Sequence, residues 1–185
     1  TNIREKAFKA TFEIKGKALY GKLPVAFDMM REILMESKLN DGKRIREILA
    51  MLKSRLLMKF QSSGHVTAVL RAQSYASPAA KLKDMTNGIA FYETVFYIEE
   101  HFEEEKEKLS EKLIDLSKKL FCGDNMMLSY TAAREGLEGL EEMVEKLKNS
   151  LHTRTAEEDK RCVIHCEKKN EGFKTASKVQ YVAKA

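Results

Sequence analysis

The chain has 185 residues, 43% hydrophobic and 33% charged, with 33 basic against 28 acidic side chains and a net charge of +5. Length and composition describe one globular domain, or one domain and a piece of another, and no run approaches the ~18 apolar residues of a membrane span. Basic and acidic residues are interleaved, so no lysine- and arginine-rich stripe of the kind that binds nucleic acid is present.

Residues 8–18 alternate strictly. Phe8, Ala10, Phe12, Ile14, Gly16 and Ala18 fall on one side, and Lys9, Thr11, Glu13, Lys15 and Lys17 on the other. That pattern predicts a half-buried strand with one wet face. Leu23-Pro24 then opens a helix, in which Phe27, Met30, Ile33 and Leu34 repeat at helical spacing to about Ser37. Asn40-Asp41-Gly42 ends it and caps the next helix. This second helix carries Ile45, Ile48, Leu49, Leu52, Leu56 and Phe60, and continues with a kink at Ser62-Ser63-Gly64 as far as Ala76.

Ser77-Pro78 is a stop, followed by helices over 80–102 and 104–121, the latter with a stripe of Leu109, Leu113, Leu116 and Leu120. Gly123-Asp124-Asn125 predicts a turn and Met126 to Thr131 a short buried strand. Residues 135–151 read as one more amphipathic helix, with Leu137, Leu140, Val144, Leu147 and Leu151 as its apolar face. Residues 152–177 are polar and aperiodic, the composition of a linker. Lys178 to Ala185 reads as the start of another strand, in a second domain, with Val179, Tyr181 and Ala183 alternating along it. The expected fold class is therefore α+β, with helices packed on one face of a mixed or antiparallel sheet. Two strands do not make a stable sheet, so its completion is expected from strands the pattern does not reveal, from further sequence, or from self-association with a second copy.

The stretch FYIEEHFEEEKEKL, residues 96–109, contains His101, Glu103, Glu104 and Glu105 in a partial likeness to the H-x-x-E-H zinc helix. A catalytic zinc site takes three protein ligands, two of them imidazoles one turn apart in that motif. His65, His101, His152 and His165 include no such pair. Glu103, Glu104 and Glu107 read instead as a charged helix face that can pair with Lys106, Lys108 and Lys112. Cys162, His165 and Cys166 form a second metal-like cluster, but no second pair of ligands accompanies them and they lie in the linker. No metal ligand and no catalytic residue is assigned. Cys122 reads as a packed thiol at a helix end. Gly136 and Gly139 read as helical and not as a phosphate loop, since no Lys-Ser/Thr follows. Met29, Met30, Met126 and Met127 read as core filler. Three cysteines without a disulfide framework point to a reducing, cytoplasmic compartment. No signal peptide is visible, although a start at Thr1 leaves an upstream targeting segment open. The leucine repeat through 97–121 spans about two heptads, short of a coiled coil.

The runs FEIKGKALYGKLPVAFDMMREIL, DGKRIREILAMLKSRLLMKFQSSGH and RAQSYASP, with the downstream NMMLSYTA and GFKTASKVQYVAKA, resemble the insulinase/pitrilysin superfamily of zinc peptidases, in particular its presequence-protease subfamily. The resemblance implies a large parent chain of four related α+β domains closing around a chamber, with zinc held by an H-x-x-E-H in the first domain. It places residues 1–151 in the later part of a non-catalytic third domain, 152–171 in a linker and 172–185 at the start of the fourth. Implied partners are the rest of the peptidase chain and a short unfolded peptide substrate in the parent, with neither nucleic acid nor membrane. The resemblance assigns no substrate-binding residue here and gives Tyr181 no role. Zinc belongs to the parent and none is expected on this chain. The alternative reading is a helical interaction or scaffold module without an enzymatic parent.

Overall fold

Helical periodicity and its punctuation decide most of the architecture. The computed structural model describes residues 10–153, 163–174 and 179–184. These carry seven α-helices: α1 Leu23–Met35, α2 Gly42–Ser62, α3 Gly64–Ser74, α4 Pro78–Asn87, α5 Ile89–Glu100, α6 Phe102–Leu120 and α7 Leu140–Ser150.

The chain divides into two units. The first comprises Thr1–Asn40 with Glu107–Glu158, and the second Asp41–Lys106 with Asp159–Ala185. In the first, α1 packs against α7 and buries Phe27 and Leu147. Tyr20 lies against Gly136, and its hydroxyl accepts a hydrogen bond from the Ala133 amide at 3.2 Å. Cys122 is 2% exposed and its thiol donates to the Lys118 carbonyl at 3.0 Å, as expected of a packed thiol closing a helix. In the second unit α2 packs on α5, and α3, α4 and α5 pack in series. Leu49, Leu56, Ala72, Ile89, Val95 and Phe102 supply its buried apolar side chains.

The helix ends have local causes. Asp41 accepts a hydrogen bond from the Arg44 amide at 3.0 Å and caps α2, satisfying one of the donors a helix start leaves free. Ser77 does the same for α4 through the Ala80 amide at 3.4 Å, with Pro78 in the first turn. Ser77-Pro78 is thus the start of a helix as much as the end of one. The helix expected over 80–102 is broken at Gly88 into α4 and α5. The helix expected over 135–151 is a 3-10 turn over Arg134–Leu137 followed by α7. Gly139, read as helical from sequence, is the left-handed residue before α7, with φ 69°, a conformation glycine adopts without a Cβ penalty.

The expected α+β class is overturned. Among the described residues there is no strand and no sheet, only a single isolated bridge between Cys122 and His152. Residues 10–18 form no ladder, and Phe12 is 64% exposed; Phe8 and Lys9 lie outside the described residues. Met126 to Thr131 is not a buried strand, since Met127 is 83% exposed and the backbone is irregular. Residues 179–184 pair with nothing in a ladder either, and Val182 is almost wholly exposed. Alternation is a necessary sign of a half-buried strand, yet a ladder also needs a partner's N–H and C=O groups. No ladder among the described residues includes these segments. The methionines are corrected too: Met29 and Met127 are exposed, and Met30 and Met126 only half-buried.

Truncating buried Leu56 to Ala should lower stability by about 2–5 kcal/mol. Met58→Ala, two residues along on an exposed position, should change it by less than about 0.5 kcal/mol. Urea unfolding of both variants checks the assigned inner face of α2.

Candidate functional site: a buried arginine cluster on α3

A buried charge needs a partner and hydrogen bonds, because removing it from water costs several kcal/mol. Asp84 in α4 is such a charge, with no exposed surface at all. One carboxylate oxygen accepts from Arg71 Nη1 on α3 at 2.7 Å, and the other from the Ile89 amide at 3.0 Å. Ile89 is the first residue of α5, whose preceding residue, Gly88, has no side chain to cap it. Asp84 therefore neutralises Arg71 and also satisfies a free donor at the start of α5. Gly88 is what permits this: a Cβ there would collide with the Asp84 carboxylate and backbone.

Arg71 is shared. Its Nε and Nη2 donate to the two oxygens of Glu171 at 2.8 and 3.1 Å, the forked geometry suited to a carboxylate. The Tyr75 hydroxyl donates to the same carboxylate. The ring of Phe173 stands 5.6 Å from the guanidinium and that of Tyr75 5.8 Å, within reach of cation–π attraction. Beneath, Ser74 is fully buried and donates to the Arg71 carbonyl at 2.7 Å. The cluster joins α3, α4 and the segment 163–174.

Its electrostatics follow from these contacts. Burial opposes the Arg71 charge, but hydrogen bonds to Glu171, Asp84 and Tyr75 outweigh it, and the guanidinium is held above the ordinary arginine value. The hydrogen bond from Arg71, followed by that from Tyr75, brings the Glu171 carboxyl down to about 2. Burial pushes the Tyr75 hydroxyl up, and its bond to Glu171 adds to this, keeping it a donor.

The candidates read from sequence are placed elsewhere. His101 is the residue between α5 and α6. Its Nδ1 lies 3.0 Å from the Tyr97 carbonyl, and its ring stacks on Tyr97 at 4.6 Å. Glu103 pairs with Lys106 at 2.7 Å and with Arg46 at 3.5 Å. Glu103, Glu104 and Glu105 lie in the first turn of α6, where the helix dipole favours negative charge. Zinc's donor requirement is not met: among the described residues no three His, Cys, Asp or Glu side chains converge. Cys162 lies outside the described residues, while His165 and Cys166 lie in the irregular segment 163–174. The cleft between α1 and α7 has a volume of about 40 Å³, lined by Phe27, Asp28, Met143 and Leu147 among others. That holds a water or two and no peptide.

Sequence reasoning missed Arg71, Tyr75, Asp84 and Glu171. Glu171 lies 100 residues from Arg71, and no local periodicity relates them. The available hint was Asp84, the one acidic residue in PAAKLKDMTN, on the side of α4 that faces α3.

These features define a helical protein, with a buried ion cluster that orders its helices and, among the described residues, no group of three possible metal ligands. Residues 1–98 match the family described as Peptidase M-16C associated. The chain belongs to that family. It is 30% identical over 177 residues to Protein HypA of Clostridium perfringens (strain 13 / Type A), covering 96% of this chain and 18% of that protein. It is 22% identical over 138 residues to Presequence protease 1, chloroplastic/mitochondrial, of Arabidopsis thaliana, covering 75% and 13%. To the mitochondrial presequence protease of Drosophila melanogaster it is 23% identical over 180 residues, covering 97% and 17%. The chain spans less than a fifth of the length of these relatives.

Replacing Asp84 by Ala strands Arg71 against α4 and uncaps α5, and should cost about 3–5 kcal/mol by urea unfolding. Glu171 has the opposite reach. Its carboxyl is depressed from 4.5 to about 2 in the fold, so its pairing is fully present above about pH 4.5 and is lost as pH falls toward 2. The Glu171 side-chain carboxyl, followed by carbon NMR, should titrate near 2; a midpoint near 4.5 would contradict the pairing.

Proposed function

We propose that this chain is a non-catalytic part of a zinc-dependent peptidase that degrades short unfolded peptides in a closed chamber, and that it serves there as scaffold and chamber wall. The match of residues 1–98 to the peptidase-associated family carries the reading. Two of the relatives are presequence proteases by name, which supports a peptide substrate for the parent. In the parent a zinc ion with a carboxylate base would activate water toward the peptide bond. No three possible ligands converge among the described residues, and the part assigned to this chain is to hold shape. The cytoplasmic placement belongs to the same proposal and rests on Cys122 and Cys166 being free thiols.

The surface supports a packed role. On α1, Val25, Met29 and Ile33 follow one another at four-residue spacing and are 52%, 57% and 53% exposed. They form an apolar stripe beside the face that packs on α7. A stripe of this kind marks a surface that another element covers. The remainder of the peptidase polypeptide, more than four-fifths of each relative's length, is the occupant we assign to it.

The isolated chain should bind no stoichiometric zinc and cleave no unfolded peptide. One tightly held zinc per chain, or peptide cleavage by the chain alone, would overturn the reading. Met29→Glu should leave the stability of the isolated chain within about 0.5 kcal/mol. In the full-length parent the same change should lower the melting temperature and the peptidase rate together; an unaffected parent would show that the stripe is not a packing face.

A further inference from the structure

A second contact accompanies the Arg71 cluster at the other end of α3. The ring of Tyr181 lies directly on Gly64, where a Cβ would come within 2.5 Å of it, and faces the His65 ring at 5.9 Å. Glu171 and Phe173 occupy the C-terminal end of the same helix, on Arg71 and Tyr75. The later segment thus meets α3 at two points and in the opposite chain direction. Gly64 and Arg71 are separated by about 10 Å of helix rise. The chain from Glu171 to Tyr181 reaches up to ~33 Å, so both points can be met without stretching.

We propose that α3 is a two-point receptor for the segments 163–174 and 179–184. One point is a carboxylate seat formed by Arg71 and Tyr75, and the other an aromatic seat formed by Gly64 and His65. The chain's own Glu171 and Tyr181 fill them. Each seat has the chemistry its occupant requires. Arg71 is half engaged by buried Asp84, which fixes the guanidinium and leaves Nε and Nη2 turned outward as a ready fork. Glycine at 64 removes the side chain that would otherwise keep an aromatic ring from the helix backbone. Glu171 retains 26% of its side-chain exposure and Tyr181 41% of its surface. Both contacts are therefore surface latches that can release while the α3–α4 core stays folded. Glu171 and Tyr181 thereby mount the segments 163–174 and 179–184 on α3.

The test uses the intact chain with Glu171→Gln, Tyr181→Ala and the two combined. Limited trypsin digestion after exposed Lys168, Lys169 and Lys174 reads the first point, and the ring-proton NMR shifts of His65 read the second. Glu171→Gln should speed cleavage at Lys174 about tenfold, equivalent to ~1.4 kcal/mol, with the melting temperature nearly unchanged. Tyr181→Ala should move the His65 resonances, and Gly64→Ala should reproduce that movement by expelling the ring. The double variant should cleave faster than either single one. Cleavage as fast in the wild type as in Glu171→Gln overturns the carboxylate seat, and unmoved His65 resonances overturn the aromatic one. A large fall in melting temperature with Glu171→Gln also overturns the proposal, because the contact would then belong to the core.

Discussion

The Asp84 carboxylate is the constraint on which the second unit turns. It sits without solvent between a guanidinium on α3 and the first amide of α5. Each of its two oxygens thereby fixes a different helix to α4. A burial of this kind tolerates no partial arrangement, since an unpaired carboxylate in that position would cost more than several apolar contacts return. The backbone bends to accommodate it: Gly88 interrupts what the apolar pattern would otherwise continue as one long helix. The same pair sets the orientation of Arg71 and so determines what its remaining N–H groups can hold.

Much of this architecture is legible in the residues. The spacing of Phe27, Met30 and Leu34, and of Ile45, Leu49, Leu52 and Leu56, yields α1 and α2 because a 3.6-residue period puts those side chains on one face. Asp41 marks a real helix start and His101 falls between two helices, whereas the kink read at Ser62-Ser63-Gly64 is a break between α2 and α3. The absence of strands among the described residues was not legible. The alternation of residues 10–18 and 179–184 satisfies the face pattern of a strand, but pairing is a property of two segments and one sequence window carries only one of them. Residues 135–151 failed differently. Leu137 and Leu140 fit a helical stripe, yet Gly136 is needed against the Tyr20 ring and Gly139 takes a left-handed turn. The Arg71 cluster was invisible because its parts are gathered from three places in the chain, with residue separations of 13 and 100.

Function lies at a coarser level than any one side chain. Residues 1–98 place the chain in the peptidase-associated family, and the larger peptidase around it is the context we propose. His101 and its glutamates, the nearest likeness to a zinc helix, are a helix junction held by Tyr97, Lys106 and Arg46. The exposed stripe on α1 and the contacts of Glu171 and Tyr181 on α3 are the two surface features the proposals use. Their physical basis differs. The stripe relies on non-directional apolar burial, whereas the mount relies on the directional fork of an arginine already oriented by Asp84.

The organising role of the Arg71–Asp84 pair can be measured with a double-mutant cycle of Arg71→Met, Asp84→Ala and the two combined, followed by urea unfolding of the intact chain. A coupling energy of about 2 kcal/mol or more, with the double variant no less stable than Asp84→Ala alone, is the expected result. Single-variant losses that add to within about 0.5 kcal/mol would contradict it and show that the two charges do not stabilise the fold through one another.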